Sequence, residues 1–265
     1  MDLRTTLQTW AALRAGVVKP RTRDYHQELI EFIGRTWCEK FHQPAADISE
    51  QDVGEFTVRI AWLSDSRYNG IVTMLHGTVP AAKKLRRRPL QIKERPLLSQ
   101  LEFSRLLEEL HGRPQSHADL VIRFLSHTGL RINEARQIRW TDVREDFILV
   151  PGRASKSGRP RVIPFVNGIS DTLQELRNVA GDREDVLPQA ECKRSLQGAC
   201  ARAELPRLSH HDFRHLFATR CIESGVDLPT VARWLGHQDG GALLSRTYFH
   251  LVDEHSRRMA ARVRI

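Results

Sequence analysis

No run of apolar residues in this chain is long enough to cross or anchor in a bilayer. The first ten residues, Met1 to Trp10, hold no apolar signal-peptide core, so a cytoplasmic protein is expected. Cysteine is sparse. Cys38, Cys192, Cys200 and Cys221 are scattered with no close pair, which argues against a disulfide framework and matches no zinc-ligand spacing. Tyrosine is rarer still, with only Tyr25, Tyr68 and Tyr248. There is no internal repeat and no low-complexity segment. Negative charge is also in short supply: 32 Asp and Glu face 41 Lys and Arg, a formal net charge of +9. That surplus suits a polyanionic partner, because cations that neutralise phosphates release condensed counterions. A generically basic, solvated surface is the plain alternative.

What is present is a globular composition, 40% hydrophobic and 28% charged, over 265 residues, enough for one large domain or two ordinary ones. A basic stretch divides the chain: Lys83, Lys84, Arg86, Arg87, Arg88 and Pro89, then Lys93, Arg95 and Pro96. Prolines at both ends of a charged segment disfavour one continuous helix and read as an extended linker over residues 81–97. Such a linker is either a solvated tether or a strap along a DNA backbone, with Lys83, Lys84, Arg86, Arg87, Arg88 and Lys93 as its contacts. Residues 1–80 predict a small all-helical domain. Tyr25, Leu29, Ile30, Phe32 and Ile33 recur at near-helical spacing within Pro20 to Trp37. Val53, Phe56 and Val58 follow a helix start at Ile48-Ser49, and Ile71, Val72 and Leu75 follow Tyr68.

Residues 98–265 form the second domain. Leu98 to Leu110 is amphipathic, and a helix over His117 to His127 stops at Gly129, a residue suited to a helix C-cap. The period then changes. Phe147 to Val150 and Arg161 to Phe165 predict two short strands joined by Gly152 to Pro160. Helices are expected over Ile169 to Asn178, Ala190 to Ala203, His210 to Glu223 and Leu228 to Leu235, with Ser209, Gly225 and Gly236 as caps. A last helical stretch from near Gly241 carries Tyr248 into a tail rich in arginine.

Four segments of this half carry chemistry. In Thr128-Gly129-Leu130-Arg131-Ile132-Asn133-Glu134, an Arg follows a helix-ending Gly-Leu and can project into a cleft; alternatively it pairs with Glu134 at the surface. Lys156 sits at the turn of the predicted hairpin, where a lysine is ordinarily just solvated. His211 and Arg214 are three apart on one helix face near its N-terminus, where backbone N–H groups and the helix dipole favour an anion. His211 and His215 at i and i+4 raise a competing metal reading, opposed by the Arg between them and by the lack of a Glu after His211. The fourth segment is Leu235-Gly236-His237 followed by Arg246-Thr247-Tyr248; seen alone, such a tyrosine is a core or rim residue.

In this order the segments resemble the tyrosine recombinase family of the phage-integrase type, over roughly residues 98–252. The family pattern is an Arg in a Thr-Gly-Leu-Arg-x-x-Glu corner, a hairpin Lys, a His-x-x-Arg helix, a Leu-Gly-His and a nucleophilic Tyr. The matching residues are Arg131, Lys156, His211, Arg214, His237 and Tyr248. The interval from His237 to Tyr248 is a little longer than the family pattern, with the extra length in Gln238 to Gly241, whose glycines suit a loop.

The resemblance implies a mainly α protein with a small antiparallel β-sheet in a mixed catalytic domain, preceded by a helical core-binding domain. It further implies a site-specific recombinase or integrase of a mobile element that cleaves and rejoins DNA through a 3′-phosphotyrosine. No metal, ATP or other cofactor is expected. A homotetramer on double-stranded recombination sites is implied, with room for accessory proteins that bend DNA or set direction. Arg131, Arg214 and His237 would hold the phosphate oxygens, His211 would serve as base and Lys156 as acid. Glu134 reads as structural, orienting Arg131. Two rivals stay open: a type IB topoisomerase that relaxes supercoils, and a non-catalytic DNA-binding regulator on the same scaffold.

Overall fold

The computed structural model describes residues 1–90, 97–111, 117–155, 157–188, 192–237 and 260. The chain separates into two compact units, Met1–Ile92 and Lys93–Ile265. The described residues are mainly helical, with one two-stranded antiparallel sheet, the fold class expected from the sequence.

The first unit is helical. Its α1 (Leu3–Ala15) starts where the Asp2 carboxylate accepts a hydrogen bond from the Thr5 backbone N–H at 2.7 Å. The sequence expectations place no helix here, although Leu3, Leu7 and Trp10 mark a buried stripe at i, i+4 and i+7. Pro20 opens α2 (Pro20–Thr36) at a position where its missing N–H has no helical acceptor to lose. A short α3 (Cys38–Phe41) follows. At the start of α4 (Glu50–Arg59), Ser49 Oγ accepts from the Asp52 N–H at 3.1 Å, and the Asp52 carboxylate accepts from the Ser49 N–H at 2.9 Å. The unit's last α-helix is α5 (Asp65–His76). At the centre, the Trp37 and Phe56 rings stack with centroids 4.3 Å apart, in one cluster with Leu7, Ile33, Ile71 and Met74.

The basic stretch, as far as residue 90, departs from the extended tether expected of it. Pro80–Lys84 form a 3-10 turn whose Ala82 is fully buried in the first unit's core, and Ala81 and Leu85 pack against the same cluster. Arg88 is fastened there too. Its guanidinium lies 3.9 Å over the Tyr68 ring and donates to the Leu63 carbonyl at 3.0 Å. Its backbone exchanges two 2.8 Å hydrogen bonds with the Asn69 side chain. The small apolar residues between the cations give the segment an inward side that its charge conceals.

The second unit is built from α6 (Gln100–His111), α7 (Ala118–Thr128), a single turn α8 (Ile132–Ala135), β1 (Phe147–Val150), β2 (Arg161–Pro164), α9 (Ile169–Ala180), α10 (Lys193–Arg202), α11 (His210–Glu223) and α12 (Leu228–Leu235). The limits of α11 and α12 are those expected from their cap residues. β1 and β2 pair antiparallel, with Ile148 opposite Ile163 and Val150 opposite Arg161. Directly opposed residues share a face, so Arg161 points the same way as the buried Val150, Ile148 and Ile163. The helical stretch expected to carry Tyr248 lies outside the described residues.

Phe56→Ala should remove about 3–5 kcal/mol from the first unit. Hydrogen exchange on the full chain should then show lost protection in α2, α4 and α5, with α7 and α11 unchanged. Uniform loss across both units would contradict two separate cores.

Candidate active site

The site begins at a helix end. Gly129 closes α7 at φ +62°, donating its N–H to the Leu125 carbonyl at 2.9 Å. A Cβ there would come within 2.5 Å of Phe217 on α11 and 2.7 Å of Leu235 on α12. Glycine is required both by the left-handed backbone and by this three-helix approach. Leu130 is fully buried, which fixes the corner and turns Arg131 outward at the start of α8.

One turn on, Glu134 is buried, with 4% of its side chain exposed, and it gathers the cations. Its carboxylate accepts the Arg131 backbone N–H at 3.0 Å and the Arg131 guanidinium at 3.1 Å. Arg161, from β2, donates to it at 2.8 Å and 3.4 Å. Arg214, from α11, stands 3.9 Å away. Burial opposes ionisation of Glu134, but the hydrogen bond and charge of Arg161, then those of Arg131, outweigh it and hold the carboxyl below its ordinary value.

The guanidinium groups also finish two helices. At the end of α12, Gly236 (φ +70°) donates to the Arg233 carbonyl at 3.0 Å and His237 donates its backbone N–H to the Ala232 carbonyl at 2.9 Å. This Schellman arrangement leaves the Trp234 and Leu235 carbonyls to be satisfied from elsewhere. Arg161 Nε takes the first at 2.8 Å, and Arg214 takes the second at 2.7 Å. Arg214 also donates to the Gly129 carbonyl at 2.8 Å. Arg214, 3% exposed, thus joins the ends of α7 and α12, while Arg131 remains one-third exposed.

Among the sequence-predicted residues, the structure therefore brings Arg131 and Arg214 to one carboxylate and places His237 directly after the corner that Arg214 holds. His211 is exposed on the first turn of α11, its ring edge-on to His215 at 4.8 Å. The reciprocal cap of Ser209 and Asp212 fixes that turn, with both Ser209 donors 2.7 Å from the Asp212 carboxylate. Among the described residues no group of three or more His, Cys, Asp or Glu is arranged to hold a metal. Lys156, Tyr248 and Lys93 lie outside the described residues. Lys83, Lys84, Arg86 and Arg87 are exposed on the first unit, Lys84 pairing with Glu50 at 2.6 Å, and Arg88 is engaged within that unit.

Arg161 is absent from the sequence-derived set. The signal was there: strand alternation puts residue 161 on the face of Ile163, and a charge on a core face must find a partner.

Glu134 links the cluster to pH. A carboxyl depressed by folding contributes stability that is complete above its unfolded pKa and is lost as pH falls through its folded pKa. Glu134→Gln should therefore destabilise the protein by about 3–5 kcal/mol at neutral pH and flatten the acid side of its stability curve. Melting temperature against pH for both proteins checks this; equal acid slopes would refute it.

Residues 96–255 match the family model described as "Phage integrase family". Tyrosine recombinase XerD of Brucella suis biovar 1 (strain 1330) is 31% identical over 160 residues, covering 53% of this chain and 50% of that one. The chain thus spans about half the length of this curated relative. Among solved structures, a Tn1549 transposon integrase in complex with transposon right end DNA matches with a TM-score of 0.78 at 18% identity, over 98% of this chain and 100% of that one. A lambda integrase tetramer bound to a Holliday junction matches with a TM-score of 0.75 at 18% identity, over 91% and 79%. At that identity the likeness is one of fold. With the family model covering more than half of its residues, this chain belongs to the phage integrase family.

Proposed function

We propose that the chain is a site-specific DNA recombinase that cleaves and rejoins strands through a covalent bond to Tyr248. One observation carries the reading: three guanidinium groups from three separate elements gather on one buried carboxylate, with Arg131 one-third exposed at its edge. Such a frame is costly in a structural role and suits an anion. A phosphodiester brings one negative charge, and its pentacoordinate transition state concentrates more on the non-bridging oxygens. Arg131, and Arg214 behind it, stabilise that charge with donors already in place, the work a divalent metal does in other phosphoryl transfers.

The Tyr248 hydroxyl attacks phosphorus and gives its proton to His211, since a phenol with a pKa near about 10 needs a base or a cationic site at neutral pH. The bond to the deoxyribose 5′-oxygen breaks, and Lys156 protonates that oxygen. His237 donates to a non-bridging oxygen. The products are a 3′-phosphotyrosine and a free 5′-hydroxyl, and the retained ester lets another strand's 5′-hydroxyl reverse the step without ATP. Residues 1–80 serve as a DNA-binding domain, with Lys83, Lys84, Arg86 and Arg87 neutralising phosphates. Joining two duplexes needs four strand cleavages, so four copies act on paired sites, the assembly that the lambda integrase tetramer has on its junction.

The test is a nicked suicide substrate bearing the cognate site, resolved on a denaturing gel. Wild type should yield a protein–DNA adduct, undiminished in EDTA, and Tyr248→Phe should yield none. An adduct persisting in the Phe variant would sink the proposal. Lys156→Ala should slow cleavage less when the leaving 5′-oxygen is replaced by sulfur, which needs little protonation; equal loss on both substrates would remove Lys156 from the acid role.

A further inference from the structure

Arg161 is the group in the cluster that the mechanism above does not use. Its side chain is 7% exposed and occupies a core-facing position on β2, where an aliphatic residue would bury without cost in hydration. It makes contacts in two directions. Toward α8 its terminal nitrogens bind both Glu134 oxygens, and toward α12 its Nε binds the Trp234 carbonyl. Between them the stem lies flat on Gly236, where any Cβ would come within 3.1 Å of Arg161 Cδ, Nε and Cζ. Gly236 is thus favoured by its φ of +70°, and a Cβ there would also crowd this guanidinium.

We infer that Arg161 is a positioning residue that, beside the Arg214 bridge from Gly129 to Leu235, sets the register of the Arg131 corner against the His237 corner. Glu134 holds Arg131 directly, and Arg161 holds Glu134 to the end of α12 that His237 follows. Without Arg161, Glu134 keeps Arg131 but loses its hydrogen-bonded link to α12, retaining only the longer 3.9 Å approach of Arg214, and the Trp234 carbonyl loses its donor. The phosphate oxygens would then meet two donors out of register. A planar guanidinium can reach a carboxylate and a carbonyl at once, whereas an ammonium on the same strand cannot. The inference rests on the proposed reaction, in which Arg131 and His237 act on one phosphate.

The experiment compares adduct formation by wild type and Arg161→Ala on two suicide substrates. One carries the ordinary scissile phosphate, and the other a methylphosphonate whose non-bridging charge is removed. Misplaced donors matter where charge develops, so the variant should lose about 100-fold on the phosphate and less than about 10-fold on the methylphosphonate. DNA affinity and melting behaviour are measured alongside, and affinity should be unchanged. Arg161→Lys keeps the Glu134 ion pair without the Trp234 bond; it carries the same comparison should the alanine variant fail to fold. Equal loss on both substrates, or no loss, would overturn the positioning role while leaving Tyr248 chemistry intact. No adduct from wild type would instead overturn the reaction itself, and the inference with it.

Discussion

Burying the Glu134 carboxylate forfeits several kcal/mol of hydration, and the second unit of the chain is organised around replacing what is lost. The replacement comes from three separate elements. Arg131 arrives from the corner after α7, Arg161 from β2 and Arg214 from α11. None is its neighbour by accident of helix periodicity except Arg131, three residues away; the other two are brought in by the fold. A carboxylate with one cation would have been a stabilising pair. With three it becomes a rigid frame of guanidinium groups, with Arg131 at its exposed edge.

The apolar core makes that frame rigid. Phe213 and Phe217 of α11 flank Arg214 in sequence and are buried, and Phe217 presses on Gly129 at the point where Arg214 takes its carbonyl. The helix ends supply the rest. Carbonyls left over at the C-termini of α7 and α12 are acceptors that water would otherwise satisfy. By taking them, Arg161 and Arg214 turn two loose ends into fixed points, and His237 begins at one of them. Packing, helix termination and site geometry are here the same set of bonds.

Much of this was legible in the sequence where a local rule decides the outcome. Gly129 and Gly236 sit where only left-handed caps fit, and Ser209 with Asp212 marks the start of α11, so these helix limits follow from chemistry within a few residues. The pairing of Arg131 with Glu134 was similarly readable from a spacing of three. What escaped depends on contacts far apart in the chain. Arg161 reads as the polar first residue of a short strand until its partner, 27 residues upstream, is in place. Arg88 reads as one cation in a basic run until Tyr68 and Asn69 close around it. The α1 stripe of Leu3, Leu7 and Trp10 is plain in hindsight, its spacing of four and then three being readable from the sequence alone.

In the proposed reaction, an arginine frame assembled on Glu134 serves a covalent step at one tyrosine. Its most direct test is mass spectrometry of the adduct formed on a suicide substrate, after nuclease trimming and proteolysis. The nucleotide should be found on the peptide containing Tyr248, joined through its 3′-phosphate. A nucleotide on any other residue, or a 5′-phosphate linkage, would contradict it.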